Sequence, residues 1–419
     1  MGRSDPGRAR RWDGRGAPDL RDVTRPEGGA GRPRLGAGPT RTRFVLALPA
    51  ALGRPARRTG ASGSGWFGLA ATVAIGLALF GGLALRAGSV DGFHYYQSIR
   101  AGDRYATPGQ LLPGQRTGHG DGYDGQFYFF IAQDLFLRNP ATAHSLDNSQ
   151  RFRRILYPLL AWLLSLGNRS LLPYLLVLVN VLAAAATVAA CAVAARRAGR
   201  PPALALVVAI FPGLWIPILY DLTEPLQLAL VAWGMLLEIP VLVFLSALAK
   251  ETTAVVQLTE MIRNAAARSW GRALQHGFLL GLVVAWSLFV LRAVRARESN
   301  LQGHLLDPPG APLLELIRAA SAPGRYAFLL PPILICALAI LRFGWTRDRF
   351  AAGAALYGLV GLAAGTDTWT EPLGYYRVIA VAAVLVFMSW TVAGDRLGAG
   401  VVILMAFAGG LGLATALGG

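Results

Sequence analysis

The stretch LLPYLLVLVNVLAAAATVAACAVAA, residues 171–195, runs for 25 residues without a charged side chain. About 20 consecutive apolar residues are enough for an α-helix to cross the hydrocarbon core of a bilayer. Arg196, Arg197 and Arg200 follow directly, as expected where a span ends on the cytoplasmic side. This stretch therefore predicts a membrane-spanning helix and its direction.

The composition of the whole chain agrees with that prediction. The 419 residues are 54% hydrophobic and 15% charged, whereas soluble domains carry about 25% charged residues. Further apolar runs predict an all-α polytopic membrane protein with about 9–11 transmembrane helices. The predicted spans outside the ambiguous 226–258 region are 66–85, 171–195, 203–219, 276–292, 326–341, 350–366, 378–393 and 399–419.

The positive charge is concentrated at the start of the chain. Residues 1–65 hold 14 Arg and 5 acidic residues, which gives +9 of the total +17. This segment is rich in Arg, Gly and Pro, and we expect a disordered cytoplasmic tail that precedes a polytopic domain, residues 66–419. Because no nucleic-acid-binding module accompanies the arginines, anionic lipid is the better partner for the tail. The two cysteines lie inside apolar runs, which excludes a disulfide scaffold.

The arginines also predict which segments lie outside the cell. The positive-inside rule gives external loops at 87–154 and 293–325, and 13 of the 18 acidic residues beyond the tail then fall on the external side. The bias toward Arg is typical of a GC-rich bacterium, so we expect the bacterial cytoplasmic (inner) membrane with an external, periplasmic working face. Residues 155–166 are too short to span and predict an interfacial helix. The 226–258 region is either one span or three short half-spans.

The first external loop contains DGYDGQFYFFIAQD, residues 121–134. Asp121 and Asp124 are the candidate catalytic carboxylates, with Asp124 at the start of an aromatic helix that we expect in the headgroup belt. A general base there is expected to have a raised pKa. The alternative is that Asp124 only caps the helix.

Other charged residues at predicted membrane boundaries are candidate substrate-binding groups. Arginine matches the geometry of phosphate, although these arginines could equally contact lipid headgroups. In so short a turn as DLTEP, carboxylates are more often helix caps than catalysts. The lysine, which is the only one in the chain, would be an inner-flank charge if 226–249 is a single span. The candidates are Arg153, Arg154, Asp221, Glu224, Lys250, Glu251, Tyr376 and Arg377. No histidine or cysteine pair has metal-site spacing, so we expect no cofactor and leave a divalent metal open.

Taken in order, these motifs resemble the GT-C superfamily of polytopic glycosyltransferases. The likeness is to bacterial proteins of cell-surface glycopolymer formation and, more distantly, to the mannosyltransferase that adds the second mannose to GPI anchors. It rests on GYDGQFYFFIAQD, RFRRILYPLLAWLLSLG, the span with Asn180, FPGLW, DLTEPLQLAL and LAKETT, which together cover roughly residues 85–260. The stretch between DLTEP and KET is shorter than in those families and lacks their basic inner loop.

The resemblance implies transfer of a sugar from a polyprenyl-phosphate donor to a glycan or lipid acceptor on the external face. It places the general base on Asp124, with the DLTEP and KET elements on the same face. A sugar phosphate leaves as a stable anion, so one base with cationic stabilisation suffices. The alternatives are a transporter or flippase of a lipid-linked sugar, and a non-catalytic subunit of envelope glycopolymer assembly.

Overall fold

The computed structural model describes residues 64–294, 323–365 and 374–418, with single positions between 308 and 318. The chain divides into two units, Met1–Thr59 and Gly60–Gly419, and every described residue belongs to the second. The predicted tail, residues 1–65, lies outside the described residues except at its last two positions. Most of the predicted second external loop, 293–325, lies outside them as well.

The described residues form helices joined by turns, and no β-strand forms among them. An isolated bridge joins Gly102 to Gly118. The α-helices, numbered in chain order, are α1 Ser64–Ser89, α2 Tyr96–Ile99, α3 Gly125–Gln133, α4 Pro140–His144, α5 Gln150–Arg153, α6 Leu156–Ser165, α7 Leu172–Arg197, α8 Leu206–Ile210, α9 Pro212–Leu219, α10 Glu224–Leu237, α11 Pro240–Ala249, α12 Ala254–Ala266, α13 Trp270–Ala293, α14 Pro323–Thr346, α15 Arg349–Leu362, α16 Gly374–Ala393 and α17 Arg396–Gly418.

Several of these helices are long and apolar enough to cross a membrane. In the described part of the chain there are five, α1, α7, α13, α14 and α16, or six if the bent pair α8 and α9 forms one span. The chain is therefore an all-α polytopic membrane protein. The expected 9–11 spans also counted shorter apolar helices such as α10 and α11. At 14 and 10 residues, or about 21 and 15 Å, these two are too short to cross alone.

The ambiguous 226–258 region folds as successive short helices. Helix α10 ends at Glu238, which has a left-handed backbone, and α11 returns beside it until Lys250 meets Glu224 at 2.7 Å. Helix α12 then runs back in the direction of α10. Of the two alternatives that the sequence left open, the structure therefore has the one with short half-spans.

The predicted span 203–219 is broken rather than straight. Helices α8 and α9 meet at an angle of 54° where Phe211 is extended and Pro212 begins the second helix. Proline has no N–H to continue the preceding helix. Trp215 donates its indole N–H to the carbonyl of Ile210 at 3.0 Å and so satisfies one group that the break frees.

Two helices form the centre of the bundle. Most of the apolar stretch of α16 and of α7 is buried, 83% and 72%, against 22% for α1 and α13. A helix that is buried on all sides must pack closely against its neighbours. Gly213 of α9 lies so close to the carbonyl of Tyr376 that a Cβ would overlap it. The start of α16 is thereby fixed against α9.

The first loop carries α2 to α5 and leads into α6, so the short helices expected there are present. The aromatic side chains of helix α3 are buried in the protein, however. Phe127, Tyr128, Phe129 and Phe130 are at most 3% exposed and pack against other parts of the protein, among them α6. Aromatic composition alone does not distinguish a lipid-facing surface from a protein core.

Candidate active site

Asp124 sits at the N-terminus of α3, and the glycine after it sets its position. A Cβ at Gly125 would overlap the carbonyl oxygen of Tyr220 and would lie 3.2 Å from the Cβ of Asp221. Only glycine allows this close approach. The Asp-Gly pair therefore brings the start of α3 against the turn between α9 and α10.

The Asp124 carboxylate binds two arginines. Its Oδ1 lies 2.8 Å from Nη2 of Arg151 and its Oδ2 lies 3.3 Å from Nη2 of Arg377. The side chain makes no capping hydrogen bond to α3, so the alternative of a simple helix cap is wrong. Asp124 remains 26% exposed, which leaves it accessible to a substrate.

A second carboxylate lies deeper, behind Arg377. Glu224 is fully buried, and its Oε1 accepts hydrogen bonds from Arg377 Nε at 3.1 Å and from Lys250 Nζ at 2.7 Å. Arg377 Nη1 also donates to the hydroxyl of Tyr123 at 3.0 Å. Arg377 thus connects α16 to the first loop and to α10. Helix α11 ends just before Lys250, and this places Lys250 beside the same Glu224 oxygen.

A third ion pair flanks these two. Arg154 donates to both carboxylate oxygens of Glu251, at 2.8 and 2.9 Å, and to the hydroxyl of Tyr128 at 2.9 Å. Two parallel N–H···O bonds of this kind are among the stronger side-chain interactions in proteins. The Arg-rich turn after α5 is therefore tied to the KET segment.

The charges of this group balance. The cations Arg151, Arg154, Lys250 and Arg377 face the carboxylates of Asp124, Asp147, Glu224 and Glu251, four of each sign. We call these eight residues the charged cluster, and the end of the bundle where they lie the site end. Balanced pairing is what permits so many charges to be buried together.

The arginines control the acidity of Asp124. Burial alone would raise the pKa of Asp124, but the guanidinium groups of Arg151 and Arg377 outweigh it and lower the pKa to about 2. The expectation of a raised pKa was wrong, because sequence alone did not reveal two arginines at bonding distance. For Glu251, burial likewise raises the pKa and Arg154 lowers it, and the net result is a pKa of about 2.

Asp221 differs from the other carboxylates. It has a left-handed backbone, φ 50°, in the turn against Gly125, and it is fully buried. Neither carboxylate oxygen has a hydrogen-bond partner in the described part of the chain. Burial raises the pKa of Asp221 well above its ordinary value.

Besides Asp221, three of the residues singled out from the sequence are not brought into the charged cluster. Asp121 is half exposed and pairs with Arg104, because Gly122 turns the chain with φ +68° between it and Asp124. No ion pair joins Arg153 to a described carboxylate, and its carbonyl accepts a hydrogen bond from Trp286. Tyr376 is buried with its ring against Phe211.

Sequence reasoning missed Arg151, Asp147 and Tyr123. Arg151 binds Asp147 through Nε and Nη2, at 3.0 and 2.8 Å, as well as Asp124. Residues three or four apart share one face of a helix. That spacing in RFRR pairs Arg151 with Arg154, and it also pairs Asp147 with Arg151, so the signal was present.

Two cavities adjoin the cluster through a pair of tyrosines. Tyr123 lines a polar cleft of about 650 Å³ in the first loop, together with Tyr96, Arg100 and Asp121. Tyr220, whose ring centroid lies 4.6 Å from that of Tyr123, lines a mainly apolar cavity of about 230 Å³ between α1 and α9. Arg100 faces both cavities, with its guanidinium 4.4 Å above the Tyr220 ring.

Among the described residues, no group of three or more His, Cys, Asp or Glu side chains could hold a metal ion. Residues 369–373 of the WTEPLGYYR segment lie outside the described residues. The structure thus brings together six residues selected from the sequence as candidate site residues: Asp124, Arg154, Glu224, Lys250, Glu251 and Arg377. Comparison of the chain with protein-family models, curated proteins and solved structures finds no match.

Proposed function

We propose that the protein is a membrane glycosyltransferase that moves a sugar from a polyprenyl-phosphate donor to a glycan or lipid acceptor of the cell envelope. The observation that carries the proposal is Asp124, an accessible carboxylate held between Arg151 and Arg377 at the site end. A carboxylate beside phosphate-binding cations is the inventory that transfer from a sugar phosphate needs.

The surroundings of Asp124 suit the two proposed substrates. The apolar cavity between α1 and α9 matches a lipid-linked donor, and the polar cleft in the first loop matches the hydroxyl groups of an acceptor. Tyr123 and Arg100 adjoin the polar cleft, and aromatic rings are suited to stacking on sugar rings. Both substrates would then meet close to Tyr123, the residue before Asp124.

In the proposed reaction an acceptor hydroxyl oxygen attacks C1 of the donor sugar. The bond from C1 to the phosphate oxygen breaks, and the phosphate leaves with the electron pair. The hydroxyl proton passes to Asp124. Arg151 and Arg377 stabilise the negative charge that develops on the phosphate, because guanidinium groups bind phosphate oxygens through paired N–H bonds.

The lowered pKa of Asp124 requires a change on donor binding, because a base with a pKa of about 2 is weak at neutral pH. A donor phosphate would compete with Asp124 for the N–H groups of Arg151 and Arg377. As those contacts shift to phosphate, less positive charge acts on Asp124 and its pKa rises. The donor would thereby prepare the base.

Replacement of Asp124 by Asn tests the proposal in purified protein supplied with polyprenyl-phosphate sugars. Asn keeps the shape and removes the base, so we expect turnover to fall roughly 10²–10⁴-fold with donor binding retained. Asp121→Asn is the matched control, and its loss should be smaller because Asp121 lies outside the charged cluster. Near-normal transfer by Asp124→Asn would show that this carboxylate is not the base.

A second candidate function is transport of a lipid-linked sugar. The broken pair α8 and α9 and the buried Lys250 favour it, since transporters use discontinuous helices and ionisable groups within the membrane. The test measures movement of the intact donor across the membrane of proteoliposomes. Equal rates in wild type and Asp124→Asn, with the sugar still attached, would support transport over transfer.

A further inference from the structure

A second group of charges lies at the other end of α10, away from Asp124. Glu238 follows the last residue of α10, about 21 Å along the helix axis from Glu224. Glu260 and Arg263 come from α12, Arg272 from α13, and Arg349 from the start of α15. We call the space that they line the Arg349 cavity.

The charges around this cavity do not balance. Arg263 binds Glu260 at 2.8 and 3.1 Å, while Arg272 and Arg349 both bind Glu238, at 2.5 and 2.6 Å. Arg349 approaches Glu260 only to 3.8 Å. Three guanidinium groups therefore share two carboxylates, and one positive charge is left over, in contrast to the balanced charged cluster at the site end.

Two buried nitrogen atoms beside the cavity have no hydrogen-bond partner among the described residues. They are Nε of Arg349 and Nδ1 of His276. His276 is only 5% exposed, and the Arg349 side chain is 14% exposed. Buried polar groups are nearly always hydrogen-bonded, so two such nitrogens at one place indicate a ligand that accepts hydrogen bonds. Asn264 and Gln275 add amide groups to the lining.

The size of the cavity limits the ligand. Its volume is about 40 Å³, which corresponds to roughly three water molecules. A phosphate monoester presents three acceptor oxygens in a comparable space. Leu237, Ile239 and Val241 flank the lining residues Glu238 and Pro240 in the sequence and are at least 39% exposed. A lipid could therefore place its chains beside the bundle while its headgroup enters the cavity.

We propose that the Arg349 cavity binds a phosphate group, either that of an anionic lipid headgroup or inorganic phosphate. The anion balances the excess positive charge of the three guanidinium groups, and its oxygens accept hydrogen bonds from Arg349 and His276. Arginine forks match phosphate geometry, which lysine does not. The site is independent of the proposed glycosyltransferase activity, because its residues belong to the opposite end of α10.

Thermal unfolding of the full-length protein in a phosphate-free maltoside detergent tests this site. One arm adds inorganic phosphate, with chloride at equal ionic strength as reference, and the other adds short-chain phosphatidylglycerol. A ligand that binds only the folded protein raises the unfolding midpoint with its concentration. A rise in the first arm alone identifies inorganic phosphate, and a rise in the second arm alone identifies the lipid headgroup.

Two variants locate the binding. Arg349→Lys keeps the charge and loses the fork, so we expect at least tenfold weaker binding of the effective ligand. Arg347→Gln removes a charge two residues away on the exposed surface, and binding should stay as in wild type. The proposal is overturned if neither ligand shifts the wild-type midpoint beyond the chloride reference, or if Arg349→Lys shifts as much as wild type.

Discussion

The acidity of Asp124 depends on how many of its arginine partners are bound to it. Arg377 reaches it at 3.3 Å and also holds Glu224 and Tyr123, so a single side chain connects the accessible carboxylate to the buried one. Its removal alters the electrostatics of Asp124 directly. This makes Arg377 the residue at which the proposed chemistry is most open to measurement.

We expect Arg377→Gln to raise the pKa of Asp124. In wild type that pKa is lowered to about 2, and loss of one cation lets burial weigh more. Because the folded pKa lies below the ordinary value of 3.8, ionised Asp124 stabilises the fold above that value, and this contribution disappears as the pH falls through the folded pKa. The acid side of the pH profile of transfer should therefore move to higher pH, and the acid dependence of the unfolding midpoint should become smaller.

Arg104→Gln is the control for this experiment, because Arg104 pairs with the exposed Asp121. Its pH profile should match that of wild type. Identical acid limbs in wild type and Arg377→Gln would contradict the assignment of Arg377 as a cause of the lowered pKa.

Much of the site could be predicted at the residue scale, and the errors have physical reasons. Asp124, Glu224, Lys250 and Arg377 were found because charges at membrane boundaries are costly and therefore informative. Arg153 was chosen over Arg151 because the sequence does not show which side of a single helical turn faces the protein. The direction of the Asp124 pKa shift could not be predicted, since it depends on contacts with Arg151, 27 residues away, and with Arg377, 253 residues away.

The pair α10 and α11 is the element on which the charged cluster depends most. Its arms are too short to cross a membrane, and they place Glu224 and Lys250 side by side at the site end. Hydropathy predicted the long helices α1, α7 and α13 well, because a long apolar run has few alternative structures in a bilayer. It could not resolve α10 and α11, whose reversal depends on the left-handed backbone of Glu238.

We expect Lys250→Met to destabilise the protein by about 3 kcal/mol, because the buried Glu224 loses one of its two cationic partners and keeps only Arg377. Thermal or denaturant unfolding in detergent measures the change. The double variant Lys250→Met/Glu224→Gln should recover part of the loss, since the carboxylate that lost its lysine is then neutral and Arg377 keeps Asp124. Lack of any recovery would indicate that Lys250 acts through packing.

Arg272→Gln provides a matched control at the other end of α10. Arg272 and Glu238 are both about half exposed, and exposed ion pairs contribute roughly 0–1 kcal/mol. A loss of stability as large as that of Lys250→Met would contradict the expectation that the buried ion pair contributes more than the exposed one.

At the scale of the whole molecule, the distribution of charge predicts an orientation. Arginines at the ends of predicted inner loops predict a cytoplasmic N-terminus and an external first loop. We therefore expect Arg347→Cys to resist an impermeant thiol reagent added to intact cells, and His119→Cys in the first loop to react. Both native cysteines, Cys191 and Cys336, are buried, so background labelling should be low.

Labelling of Arg347→Cys from outside would reverse the orientation. It would also put the charged cluster on the cytoplasmic side, where the proposed donor and acceptor would have to be reconsidered. Equal labelling of both variants in opened membranes is the control for reactivity.

The hydrogen bond from Trp286 to the carbonyl of Arg153, at 3.0 Å, links a peripheral helix to the turn that holds Arg151 and Arg154. Helix α13 has 24 residues, about 36 Å, and is mostly exposed at the edge of the bundle. A helix longer than the local hydrocarbon thickness accommodates by tilting. The length of the surrounding acyl chains would therefore affect the tilt of α13. Through the hydrogen bond of Trp286, a change of tilt would alter the position of the turn that holds Arg151, one of the two arginines that bind Asp124.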